Sequence, residues 1–133
     1  MLFLYHPLIV HFPVALWLTS ALFELLYLAR REPLYATVSR LLVGLGLLGA
    51  AASIASGFLD LNRQVAAGVG SGILLQHRLH SLLAYGATAA YLAVFLGRWR
   101  RTAVPAWTTV LSLVGAAAIA AAGFSGGELR RVM

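Results

Sequence analysis

Residues 41–60, LLVGLGLLGAAASIASGFLD, run without a charge until Asp60. A helix needs about 20 apolar residues to cross the hydrocarbon of a bilayer. This stretch therefore reads as a membrane span, over about 37–59. Within it Gly49, Ser53 and Gly57 recur every four residues and share one helix face. Small residues at that spacing let helix backbones approach closely.

Three more runs of this kind flank it. They cover about 3–29, ending at Arg30-Arg31, about 74–97, ending at Gly97-Arg98, and about 104–124, closing at Gly126-Gly127. The expected fold is all-α: an integral membrane four-helix bundle, up-down-up-down, in one transmembrane domain over residues 1–133. The fourth span is alanine-rich, with Gly115 and Gly123 two turns apart. It suits tight helix packing, or a smooth wall for a flat macrocycle. The same glycine stripes permit a homo-oligomer.

Composition agrees. The chain is 61% hydrophobic and 11% charged, where a soluble domain carries roughly 25% charged residues. The lipid bilayer is the expected environment. Cysteine is absent, which excludes disulfides, thiolate metal sites and covalent heme attachment through cysteine. The net charge is +6, and every basic residue is arginine. These arginines punctuate apolar runs instead of forming a basic stripe, so a nucleic-acid partner is not expected. The opening MLFLYHPLIVHF lacks a basic region and a cleavage site, and is expected to stay as the first helix.

Arginines also set the expected orientation. The first and third connections hold Arg30, Arg31, Arg40, Arg98, Arg100 and Arg101, against Arg63, Arg78, Arg130 and Arg131 at the other end. Positive-inside reasoning puts the first group in the cytoplasm and both termini outside. In any such bundle, His6, His11, Asp60, His77 and His80 share one end. Histidine near a membrane is costly and marks a functional site by default, and imidazole ligates both heme iron and free metals.

Details of the candidates follow from spacing. His6 and His11 differ by about 140° on an ideal helix, so they do not share a face; His11 is expected to face the bundle and His6 to lie at the rim. Pro13 is expected to distort the helix locally. His77 and His80 are helical neighbours with Arg78 between them. Asp60 would ligate a metal, carry protons, orient an imidazole, or pair with Arg63 or Arg78. Glu24 is expected to form an interfacial ion pair with Arg40 or Arg30, away from the histidines.

The segments HPLIVHFPVAL, GFLD, QHRLH and the GG-x-L of residues 126–129 resemble a bacterial family of small four-helix membrane proteins of unknown function. The resemblance covers essentially the whole chain. The family usually continues into an apolar Gly/Val-rich end, where this chain has Arg130-Arg131. Some relatives look to be joined to Rieske or cytochrome c modules. The resemblance thus implies electron transfer with a b-type heme in the bacterial inner membrane.

Three functions are weighed. In the first, heme b sits between the first and third helices with His11 and His80 as axial ligands. His6 and His77 would surround it or ligate a second centre, Arg78 would meet a propionate, and a quinone or a redox protein would be the partner. In the second, His6, His11, Asp60, His77 and His80 hold copper, zinc or iron without heme. In the third, the chain is a non-catalytic membrane subunit. A hydrolase is least expected: Ser81 follows His80, but no nucleophile elbow accompanies it.

Overall fold

The computed structural model describes residues 6–68, 70–101 and 103–132, with side chains through Glu128. Those residues form four helices: α1 (His6–Arg30), α2 (Pro33–Ala66), α3 (Ser71–Arg98) and α4 (Ala106–Val132). Each contains a window long and apolar enough to cross a membrane. The all-α four-helix bundle is as the sequence led us to expect.

Local chemistry sets the turns. Arg31 adopts a left-handed φ of 57°, and its N–H donates to the Tyr27 carbonyl at 2.7 Å. A residue of that conformation closes a helix by satisfying one of its last carbonyls. Pro33 opens α2 where its missing N–H costs nothing. Only Arg31 and Glu32 separate the two helices. Gly68, with φ 72°, turns α2 towards α3.

Two helices outrun their expected spans. α2 continues past Asp60 to Ala66, so most of the long middle connection is helix. α4 passes through Gly126-Gly127, expected to close it, and reaches Val132. A glycine costs a helix interior only about 1 kcal/mol, and the ring of His80 packs close against Gly126, as described below. Pro13 lies inside an unbroken α1, packed against Gly49.

α1 packs chiefly on α2 and α3 chiefly on α4, and the two hairpins meet along thinner α1–α4 and α2–α3 seams. The buried faces are small and partly polar: Ala50, Ala87 and Ala122 sit with Ser20, Ser39, Thr108 and Ser112. Large residues such as Leu22, Leu48, Leu82, Leu96 and Phe124 lie outside. In water this would be inverted, but in lipid small residues drive helix contact.

The hairpins repeat one another. α1 presents His6, Val10, Pro13, Trp17 and Glu24 inward, and α3 presents His80, Ala84, Ala87, Tyr91 and Arg98 at the same spacing. Trp17 and Tyr91, 74 residues apart, stack with centroids 4.3 Å apart and planes 14° apart. Glu24 and Arg98, also 74 residues apart, form an ion pair at 2.7 Å. The second helices match too. Trp17 Nε1 donates to the Val43 carbonyl, and Tyr91 Oη donates to the Ser112 carbonyl. Gly46 lies under Trp17, and Gly115 under Tyr91. The pattern is that of two hairpins related by a two-fold axis along the bundle.

Glu24 is fully buried and Arg98 is 2% exposed. The carboxylate accepts from Arg98, from Ser39 at 3.2 Å and from Ser112 at 2.9 Å. The guanidinium also donates to the Ser39 hydroxyl and the Ala36 carbonyl. This corrects the expectation that Glu24 pairs with Arg40 or Arg30. Glu24 lies on the stripe that packs against the other hairpin, which brings it to its two-fold counterpart. Arg40 instead donates to the Arg101 carbonyl.

Removing one partner leaves a buried charge uncompensated, which costs ~3–5 kcal/mol, whereas replacing both with apolar residues is near neutral. Arg98→Met alone is expected to destabilise by about that much in a denaturant titration of the detergent-solubilised protein. Glu24→Leu combined with Arg98→Met is expected to restore most of the loss.

Candidate functional site

The histidine end of the bundle encloses a cavity between the hairpins. Its wall is mostly apolar, formed by Val10, Val14, Ala50, Ile54, Ala84 and Ile119, with Trp17 at its floor. The enclosed space is about 90 Å³, and it reaches the surface beside the exposed residues Tyr85 and Gly123. His6, His77 and His80 line it.

The stripe of α1 decides which of its histidines faces inward. His6 lies seven residues before the buried Pro13, so it falls on the same face, while His11 lies about 200° away from Pro13. His11 is accordingly exposed and its Nδ1 donates to the Pro7 carbonyl. The expected placement is therefore reversed: His6 faces the bundle and His11 does not line the cavity. His11 and His80 do not face each other across it.

Each hairpin contributes one imidazole held in the same way. The Ser56 hydroxyl donates to the Ser53 carbonyl at 2.9 Å. It must then accept from His6 Nδ1–H, which lies 2.6 Å away. His80 Nδ1 lies 2.8 Å from the Ala122 carbonyl, which can only accept, and 3.4 Å from Ser125 Oγ. Ser125 in turn donates to the same Ala122 carbonyl. Both rings thus present Nδ1–H to these acceptors, and Nε2 takes no part in the bonds. A ligating histidine is typically fixed by such a bond from its other nitrogen.

Glycines make room for both rings. A Cβ on Gly57 would lie 3.1 Å from His6 Cε1, and one on Gly126 would lie 3.0 Å from His80 Cε1. The glycine at 126 lets the ring of His80 lie close against α4. At Gly123 an added Cβ would meet nothing within 4 Å, because the cavity lies in front of it.

The other candidates are less central. The rings of His77 and His80 stand edge to face with centroids 6.3 Å apart. His77 is buried, and the Ser81 hydroxyl lies 3.5 Å from its Nδ1. Asp60 is buried and lies within electrostatic reach of His6 and His77. Arg78 is exposed and does not line the cavity. Among the described residues no group of three or more His, Cys, Asp or Glu side chains comes together to hold a metal ion. The five-residue set of His6, His11, Asp60, His77 and His80 is therefore not assembled around one point, and His11 turns outward.

The sequence reading missed Ser56 and Ser125, which fix the two rings, and the Glu24–Arg98 partnership. The signal was present. Ser-Gly recurs at 56–57 and 125–126, and His80, Tyr91 and Arg98 follow His6, Trp17 and Glu24 at constant separation.

Comparison with known proteins gives one match. A family model described as "Predicted membrane protein (DUF2231)" matches residues 4–133. No curated protein and no solved structure matches the chain.

The glycine contacts make a stability prediction. Gly57→Val and Gly126→Val are expected to destabilise by ~1–3 kcal/mol, the usual cost of overpacking. Gly123→Ala should instead stabilise by ~0.5–1 kcal/mol, because it gains helix propensity without a clash. Denaturant midpoints of the three variants against the parent check this.

Proposed function

The chain belongs to that family of predicted membrane proteins, and from this premise we propose that it is a b-type cytochrome of the bacterial inner membrane. His6 and His80 would be the axial ligands. The observation that carries the reading is the pair of imidazoles, one per hairpin, each held through Nδ1 and each lining one apolar cavity.

The donor types present suit the group. Two imidazoles whose Nε2 atoms take no part in these bonds are a donor pair that would hold heme iron. The wall is mostly apolar, but the space of about 90 Å³ is smaller than a porphyrin, so heme would have to extend out of the cavity past the exposed Gly123. A non-heme ion would ask more of the chain. Copper, zinc or iron sites of protein ligands need three or four converging donors, and no such group is present among the described residues. That contrast favours heme over a bare metal.

Heme bound here would supply a one-electron ferric–ferrous couple. The chain's own work is to hold it. Ser56 and the Ala122 carbonyl fix the ring planes and their tautomers. Trp17, Ala50 and Ile119 exclude water from below. With both His6 and His80 on the iron, oxygen would have no place to bind, so the arrangement would favour electron transfer. With the arginine-rich α1–α2 and α3–α4 connections in the cytoplasm, both termini and the histidine end face outward. A quinone or a redox protein at that face would exchange the electron.

An absorption spectrum of the detergent-purified protein, oxidised and then dithionite-reduced, tests the proposal. A Soret band and a sharp reduced α band are expected. His6→Ala and His80→Ala should each lose at least nine-tenths of the bound heme, while His11→Ala keeps it. Full heme retention in both of the first two variants would overturn the assignment, as would a colourless parent reconstituted with heme to no effect.

A further inference from the structure

The hairpins match along their facing stripes, but one row of α3 has no equivalent. His77, Ser81 and Tyr85 follow at roughly one-turn intervals, and all line the cavity. They lie about 60°, 100° and 140° round the helix from His80. His80 is turned to α4 by its bond to the Ala122 carbonyl. The row therefore turns the other way, to the α2–α3 seam, where Ser53, Ile54 and Gly57 of α2 complete the wall. On α1 the positions equivalent to Ser81 and Tyr85 are Pro7 and His11. Pro7 has no hydroxyl, His11 points outward, and neither lines the cavity.

The row offers hydrogen bonds without charge. Tyr85 is 44% exposed, and its hydroxyl makes no hydrogen bond among the described residues. Ser81 and His77 meet only at 3.5 Å. Around them Leu79, Leu82 and Leu83 are exposed apolar side chains of the kind that face lipid. The occupant of such a seam has a flat apolar ring, neutral oxygens at its edge, and a tail that stays in the hydrocarbon. A fatty acid would call for a cation here, and Arg78 is turned away and exposed. The row lines the side of the cavity that opens beside the exposed Tyr85, so an occupant would enter there from the lipid.

We propose that the α2–α3 seam, bounded by His77, Ser81 and Tyr85, binds the ring of a lipid-soluble quinone or quinol. The role of that ligand as redox partner rests on the heme reading above, whereas its binding does not.

The test is photolabelling of the full chain in lipid nanodiscs with an azido-benzoquinone carrying a decyl tail. Label is expected in peptides carrying residues 53–57 and 77–88, and excess unlabelled decyl-benzoquinone should compete it away. Ser81→Leu, which fills the seam, should lower that labelling at least fivefold, and Tyr85→Phe at least twofold. His11→Leu, at the equivalent row of α1, should leave it unchanged. Helical content by circular dichroism shows that each variant is folded; if Ser81→Leu is not, Tyr85→Phe carries the test. Labelling spread evenly over the lipid-facing surface would overturn the proposal. So would labelling unaffected by Tyr85→Phe, or lowered as much by His11→Leu. The heme spectrum of the same samples is read separately. Specific labelling of a heme-free protein would sink the cytochrome reading alone, and a red protein without specific labelling would sink the quinone seam alone.

Discussion

The Glu24–Arg98 ion pair is the contact on which the arrangement of this bundle depends. Each hairpin is well packed within itself, but the two hairpins meet along thin seams. In hydrocarbon there is no hydrophobic force to press them together. A carboxylate on α1 and a guanidinium on α3, both out of contact with the exterior, leave little choice of register. Sliding one hairpin by a single turn would part them by about 5.4 Å and strand two charges in a medium that cannot solvate them. Ser39 and Ser112 bring α2 and α4 into the same network, so one ion pair ties all four helices.

From that anchor the rest of the axis follows in layers. Seven residues from Glu24 and Arg98 come Trp17 and Tyr91, which stack across the axis and fill its centre. Further along, the matched side chains become small: Val10 with Ala84, and Ser53 with Ala122. The centre therefore opens into the cavity, with a histidine from each hairpin at its rim. Large aromatic rings on one side of the small residues and glycines behind the imidazoles explain why the space lies at one end and not along the whole bundle.

Much of the fold was legible because span length and hydropathy are set by the bilayer itself. Four runs, two arginine-marked short connections and the small-residue stripe of α2 required no tertiary information. The gathering of histidines at one end followed from topology alone. What the spacing of His6 and His11 could not decide was which of them faces inward. That depends on the helix's buried face, and the apolar outer residues of a membrane helix look much like its inner ones. Polar residues are better guides here: the line from His6 through Ser20 to Glu24 marks the inward face of α1 more clearly than any leucine. Glu24 was assigned a nearby arginine because interfacial pairs are common near span ends. Its true partner is remote in sequence and is reached only through the repeat. The helical continuation through Gly126-Gly127 was equally hidden, since glycine reads as a stop until the imidazole of His80 is placed against it.

The repeat also separates two kinds of demand on this chain. Features shared by both hairpins, the Nδ1-held imidazoles and their glycine seats, suit the proposed ligand, which would meet the protein alike from two sides. A single coordinated centre on the axis has that property. Features found in one hairpin only, the His77–Ser81–Tyr85 row and the carboxylate of Asp60, cannot serve that shared task. Two like hairpins pressed together by packing alone would tolerate an apolar residue at each of those places. A buried histidine and a buried carboxylate at the same end of a membrane bundle are costly to keep, and holding the axis gives no reason to keep them. The broken part of the symmetry is therefore where the proposed quinone, approaching from one side only, would have its place.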